Sequence, residues 1–142
     1  MNDLEYTKTV VGTTVTSAAG TATLTIDTLG YAYASVDVLV AVSATPANTA
    51  ASILNVLTLS QGDTTTAGSS VYTVAAPSAS VAVTAQPSVV RLDVDLRGKS
   101  RYLKIDATPA TSLATTIVAR LGKGQEGPET AAAKGVLAKY SG

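Results

Sequence analysis

The stretch YAYASVDVLVAV, from Tyr31 to Val42, alternates between two kinds of side chain. Alanine and valine occupy every even position, while Tyr31, Tyr33, Ser35 and Asp37 occupy the first odd positions. Successive side chains of a β-strand point to opposite faces of the sheet, so this pattern predicts a strand whose even-numbered face lies in the core. We expect the odd-numbered face to lie on the surface.

The same alternation recurs from residue 7 to residue 122, interrupted by Gly, Pro, Ser and Asn, with no long apolar stripe of helical period. The other predicted strands are Thr7 to Val15, Thr21 to Asp27, Ile53 to Ser60, Val71 to Val74, Ser80 to Thr84, Val89 to Leu96, Arg101 to Ala107 and Thr115 to Leu121. The tight connection from residue 97 to residue 100 predicts a hairpin between two of them. About eight strands at roughly even spacing predict an all-β fold, a jelly-roll-like antiparallel sandwich or barrel.

A chain of 142 residues is the size of one domain with its own core. We assign residues 1–122 to a β-sandwich domain that begins with a short arm, residues 1–6. Residues 123–142 are rich in Gly and Ala and allow one or two helical turns at most, so they predict a flexible C-terminal tail.

Composition excludes several classes of function. The chain has no His and no Cys, which rules out serine-histidine and cysteine-histidine catalysis and any disulfide. Ten basic residues balance ten acidic ones and form no run, which argues against nucleic acid as a partner. The apolar stretch at 36–42 is too short to span a membrane, and the polar start lacks the pattern of a signal peptide, so we expect synthesis and use in a cytoplasm.

Three patterns could suggest chemistry, and each has a simpler interpretation. Gly122 to Gly127 matches G-x-G-x-x-G, but too few residues follow to build a dinucleotide site, so a linker is favoured. The loop from Gln61 to Thr66 holds one acid, Asp63, where a calcium loop needs several.

The third pattern is a pair of acids, Asp93 and Asp95, flanked on the same strand face by Arg91 and Arg97. This spacing predicts a salt-bridged surface that Lys104 and Asp106 would extend across a neighbouring strand. We therefore predict a non-enzymatic protein with no catalytic residue, no cofactor and no metal.

Apolar and aromatic residues in three places are candidates for contact with a partner. Tyr31 and Tyr33 are amphipathic anchors on a surface of small residues, or else a cover for a sheet edge or loop. The chain ends are too short to form a core and would act as clamps, unless the tail folds back on the sandwich or stays disordered. The candidates there are Leu4 and Tyr6 in the arm and Val136, Leu137 and Tyr140 in the tail.

Several stretches together resemble the capsid decoration, or cement, proteins of tailed phages. They are VRLDVDLRGKSRYLKI at 90–105, YAYASVDV at 31–38, LTLS at 57–60 before a polar loop, and TAAAKGV at 130–136. The resemblance implies a jelly-roll-like fold, a homo-oligomer on the outer face of the shell, and no catalytic residue. The implied partner is the major capsid protein, and the implied location is the virion surface after synthesis in the host cytoplasm.

Two other classes fit the same composition. A tail-fibre or receptor-binding domain would use exposed Tyr residues to hold a host surface glycan, and a bacterial surface or pilus module should carry a secretion signal. We expect the chain to self-associate, and we favour a homodimer over a homotrimer. The reason is that the polar sheet face with Tyr31 and Tyr33 carries little charge, so another copy is expected to pack against it.

Overall fold

The structure, a computed structural model, describes residues 6–17, 19–41, 54–66, 68–75, 87–110 and 112–124. Most of these residues belong to eight strands and none to an α-helix, so the all-β prediction is confirmed. The strands are β1 (Lys8–Val15), β2 (Ala22–Asp27), β3 (Tyr33–Val40), β4 (Leu54–Gly62), β5 (Ser69–Ala75), β6 (Ser88–Asp95), β7 (Tyr102–Pro109) and β8 (Thr115–Gly122).

The strands form two four-stranded sheets. The first sheet has the order β1-β8-β3-β6 and the second has the order β2-β7-β4-β5, with every pairing antiparallel. The chain changes sheet at each connection except the one from β4 to β5. This strand order is that of the eight-stranded jelly roll, which confirms the predicted fold as a sandwich.

The predicted hairpin between Val89–Leu96 and Arg101–Ala107 is wrong. Its first strand, β6, pairs with β3 in the first sheet, whereas its second strand, β7, lies between β2 and β4 in the second sheet. The connection does turn tightly, with Gly98 at φ 77° and the Lys99 N–H bonded to the Leu96 carbonyl. Both arrangements bury one face of each strand, so the alternation does not distinguish a hairpin from two strands that face each other across the core.

The core lies between the sheets and follows the predicted faces. On β3 the even-numbered residues from Ala34 to Val40 are at most 1% exposed, and β2 buries Ala22, Leu24 and Ile26. Burial decreases toward β6, where Val94 is buried but Val90 and Leu92, on the same face, are only partly buried. The core is therefore complete under the central strands and less complete along this edge.

The opposite edge of the sandwich is closed by a β-bulge in β1. The pairing of β1 with β8 shifts between Val11 and Thr14, which turns Thr13 toward β2 in the other sheet. The Thr13 hydroxyl accepts a hydrogen bond from the Thr23 N–H (2.9 Å) and donates one to the Thr23 carbonyl (3.2 Å). Only glycine fits beside it, because a Cβ on Gly12 would lie 2.7 Å from the Thr23 carbonyl oxygen.

The predicted strands that fall on described residues begin and end within two residues of the observed ones. The predicted third strand, Tyr31 to Val42, is two residues longer at each end than the observed Tyr33–Val40. The predicted strand Ser80 to Thr84, arm residues 1–5 and the tail beyond Gly124 lie outside the described residues.

Candidate interaction surface

The two tyrosines predicted to share a surface lie in different environments. Tyr33, the first residue of β3, is 40% exposed on the outer face of the first sheet. Tyr31 precedes the strand, packs against the core, and has a pKa raised by burial. Its N–H donates to the Thr28 carbonyl in a turn with Gly30 at φ 85°, so the strand alternation has not yet begun there. The prediction that Tyr31 shares the outward strand face with Tyr33 is therefore wrong, and contact of either residue with a partner stays a prediction.

The described parts of the two chain ends meet at one corner of the first sheet. Lys8 at the start of β1 lies opposite Leu121 at the end of β8, and the Gly124 N–H donates to the Tyr6 carbonyl at 3.2 Å. The arm and the tail thus join the sandwich side by side. The candidate clamps Leu4, Val136, Leu137 and Tyr140 lie outside the described residues.

Tyr33 lies in the sheet next to this corner. It is opposite Gly122 of β8 on one side and Asp95 of β6 on the other. A cleft of about 270 Å³ opens here and is lined by Ala32, Tyr33, Asp95, Arg97 and Lys123. Lys123 has φ 54°, in the left-handed region that non-glycine residues seldom adopt. Tyr33 is thus a predicted aromatic anchor that is exposed beside this corner, and Tyr6, the predicted anchor at the corner itself, is partly buried.

An apolar band crosses the other end of the same outer face. Leu39 of β3 lies opposite Val89 of β6 and is 40% exposed, while Val89 is 55% exposed. Val11 on β1 is 58% exposed and lies opposite Val118. This band was not predicted from the sequence, although Leu39 and Val89 at odd-numbered, outward positions of β3 and β6 indicate it.

Ion pairs hold the charged part of this face. Arg91 reaches across to β3 and binds Asp37 in a bidentate pair, with Nε to Oδ1 at 2.6 Å and Nη2 to Oδ2 at 2.9 Å. Arg97 binds Asp95 at 2.6 Å, as the spacing predicted. Lys104 and Asp106 do not extend the row, because they lie on the second sheet, where they pair with each other at 2.9 Å.

These pairs keep the carboxylates charged. The side-chain and backbone hydrogen bonds from Arg97 lower the pKa of Asp95 from 3.8 to about 2, and the hydrogen bonds from Arg91 lower the pKa of Asp37. A carboxylate with a lowered pKa is a poor proton donor near neutral pH, where general acid catalysis needs a raised one. The arrangement suits polar recognition at a surface.

A groove of about 500 Å³ runs along β6. Apolar side chains of Leu59, Leu92 and Val94 contribute to its lining, and the charged residues beside them are Arg91, Asp93, Asp95, Arg97 and Lys99. Leu59 belongs to β4, an inner strand of the second sheet, so the groove extends from the edge strand β6 of the first sheet toward the second sheet.

The two other candidate motifs have structural roles where they are described. Gly122 ends β8, and the residues of G-x-G-x-x-G beyond Gly124 lie outside the described part of the chain. Gln61 belongs to β4, where its side-chain oxygen accepts the Ser100 N–H at 3.2 Å. Within the described residues, no three His, Cys, Asp or Glu side chains come together as metal ligands.

No known protein-family model matches this sequence, and no curated protein matches it either. Among the described residues, no helix is long and apolar enough to cross a membrane.

Proposed function

We propose that this chain is a capsid decoration protein that binds the outer surface of an assembled phage shell. The observation that carries the proposal is that the described chain begins and stops at one corner of the first sheet, where the Gly124 N–H bonds to the Tyr6 carbonyl. Two short segments that start side by side can grip neighbouring subunits of a lattice together. Exposed Tyr33 lies in the sheet next to that corner and adds an aromatic contact.

The proposed role is mechanical, without catalysis or a cofactor. A protein that binds the assembled shell but not free subunits stabilises the shell by mass action, about 2.7 kcal/mol per site at a free concentration one hundred times the Kd. Clamps on two neighbouring subunits act through effective concentration, so weak contacts combine into firm binding. The jelly-roll fold is compatible with this role, but folds of this kind also serve other functions.

Binding to undecorated shells of the capsid protein encoded with this chain tests the proposal. The full-length variant V136S/L137S/Y140S keeps the length of the tail and removes its apolar side chains. We expect its Kd for the shells to rise at least tenfold while its melting temperature stays unchanged. A chain truncated after Gly124 should behave in the same way, because the described strands all precede that residue.

A control variant distinguishes specific binding of the tail to the shell from non-specific binding. The substitution Thr58→Ser on β4 changes the outer region of the second sheet and should leave shell binding as it is. Unchanged binding by both tail variants would contradict the clamp mechanism, and no binding of the full-length chain to any shell would contradict the proposed function.

The alternative is a receptor-binding domain for a host surface glycan, and the cleft beside Tyr33 favours it. An exposed aromatic ring next to Asp95, Arg97 and Lys123 is suited to stack on a sugar and to hydrogen-bond its hydroxyl groups. Retention on a glycan array that Tyr33→Ala abolishes, together with no retention on shells, would favour this alternative over decoration.

A further inference from the structure

Within the described parts of the chain, one edge of strand β6 has no neighbouring strand. It is the last strand of the first sheet, and among the described residues it pairs with β3 alone. The Leu96 N–H donates to the Ala32 carbonyl, so the even-numbered residues of β6 direct their backbone groups toward β3. Backbone direction alternates along an antiparallel strand, so Val89, Arg91, Asp93 and Asp95 direct theirs away from the sheet.

The groove along this edge has the layout of a site for one more strand. Its floor includes Leu59 and Leu92, and the inward-facing Val90 and Leu92 are only partly buried, unlike the fully buried Val36 and Val38 beside them on β3. A strand added here would cover these side chains and would satisfy the outward backbone groups.

We infer that a second copy of this chain occupies the groove, with the two β6 strands paired antiparallel about a twofold axis through Leu92. The sequence Val-Arg-Leu-Asp-Val at 90–94 has opposite charges placed symmetrically about that residue. Arg91 then lies directly opposite Asp93 of the partner subunit, and Val90 lies opposite Val94 of the partner subunit. Each copy supplies the same surface, as a twofold interface requires.

Other registers lack this complementarity. An axis through Asp93 or through Arg91 sets that residue against its own copy, which places two like charges directly opposite each other. An axis through Val94 places Asp93 opposite Asp95 and Arg91 opposite Arg97, which sets like charges against each other. An axis through Val90 places Arg91 opposite Val89 and brings Pro87, which has no N–H, opposite Asp93. Charge and backbone chemistry therefore both select the register centred on Leu92.

The existing ion pair on Arg91 is compatible with the second contact. Its guanidinium has five N–H donors, and the pair with Asp37 uses two of them. Asp37 lies on β3, on the side of β6 away from the groove, and it holds the Arg91 side chain along the outer face. The dimer concerns the protein free in solution and does not depend on the proposed binding to a capsid.

Charge swapping between two variants tests the inference by analytical ultracentrifugation. The full-length chain should sediment as a dimer, and Asp93→Arg alone and Arg91→Asp alone should each raise the dimer Kd at least tenfold. Mixing the two variants should restore association as a heterodimer, because the two arginines of one variant then face the two aspartates of the other. Arg120→Asp makes the same charge change on β8, a strand inside the sheet, and should leave the dimer intact.

A cysteine cross-link provides a second test that does not rely on charge. The chain has no native Cys, and Leu92→Cys would place two thiols across the twofold axis at a distance a disulfide can span. We expect oxidation to link Leu92→Cys chains into dimers. Val89→Cys should remain unlinked, because its copies would lie about 20 Å apart in this register.

Three results would overturn the inference. They are a wild-type monomer at millimolar concentration, a dimer that Asp93→Arg leaves unchanged, and efficient cross-linking by Val89→Cys in place of Leu92→Cys. The last result would move the contact to the apolar band. A chain that is monomeric but binds shells would contradict the dimer and support the proposed function. A chain that dimerises but does not bind shells would support the dimer and contradict the proposed function.

Discussion

The edges of the sandwich at β1–β2 and at β6 differ in how their backbone groups are satisfied. On the β1–β2 side, Thr13 crosses from one sheet to the other and bonds both backbone groups of Thr23. On the β6 side, the outward backbone groups face a groove bordered by charged side chains. An edge strand can be capped from within its own chain or left for a partner, and in the dimer that we infer, this molecule uses both solutions.

The difference teaches how the two kinds of edge are built. The cap requires β1 to lie close to the backbone of Thr23 in β2. The bulge in β1 and the absence of a side chain at Gly12 allow this approach. The edge at β6 instead carries Arg91, Asp93 and Asp95, and in the inferred dimer these charges would favour a strand whose charges match. The cap at the β1–β2 edge should therefore contribute to the stability of the monomer. The charges at β6 should contribute to the choice of partner.

The largest effect on stability is expected at the capped edge. Gly12→Ala places a Cβ 2.7 Å from the Thr23 carbonyl oxygen and 2.9 Å from the Leu24 Cβ, so the backbone must move. We expect the free energy of unfolding in urea to fall by about 2–3 kcal/mol, as overpacking of a fixed site does. Gly122→Ala, with nothing within 4 Å of its Cβ, should change it by less than about 0.5 kcal/mol. Equal effects would show that the capped edge is not tightly packed.

A smaller effect should follow from removing the cap itself. Thr13→Val keeps the side-chain shape and loses the two hydrogen bonds to Thr23, which should cost about 1 kcal/mol in the same urea titration. Thr14→Val is the matched control, because the Thr14 hydroxyl bonds, among the described residues, only to the hydroxyl of Thr116 at an exposed position. A Thr13→Val protein as stable as the Thr14→Val protein would mean that the cap adds nothing to stability.

The smallest effect on stability is expected at the edge of β6. Arg97→Ala removes the guanidinium hydrogen bonds to Asp95 and keeps the one from the backbone N–H of residue 97, so the pKa of Asp95 should rise from about 2 part of the way toward 3.8 in a carboxyl NMR titration. The pKa of Asp95 is lowered in the folded protein, so the pair stabilises the fold above about pH 4 and loses its effect as the pH falls through 2. Both side chains are exposed, and we expect no measurable change in Tm at pH 7. A clear loss of Tm would show that this pair is structural.

The sequence predicted the candidate surface only in part. It placed Tyr33 and the Asp95–Arg97 pair correctly, because both follow from alternation within one strand. It misplaced Tyr31, since a turn containing Gly30 precedes β3 and rotates that side chain toward the core. Contact with a partner stays a prediction for Tyr6 and for the four candidates outside the described residues, Leu4, Val136, Leu137 and Tyr140.

The sequence by itself determined the fold class and the inward faces of β2, β3 and β6. Alternation with a period of two is a local property, and it assigned Val36 and Val38 to the core from a few neighbouring residues. Only the tertiary structure decided which strands are neighbours. Arg91 pairs with Asp37, 54 residues earlier in the chain, and β6 adjoins β3 and not β7. Such pairings depend on long-range closure of the chain and on joint burial of two sheets, and the pattern along any one strand is the same whichever neighbour it meets.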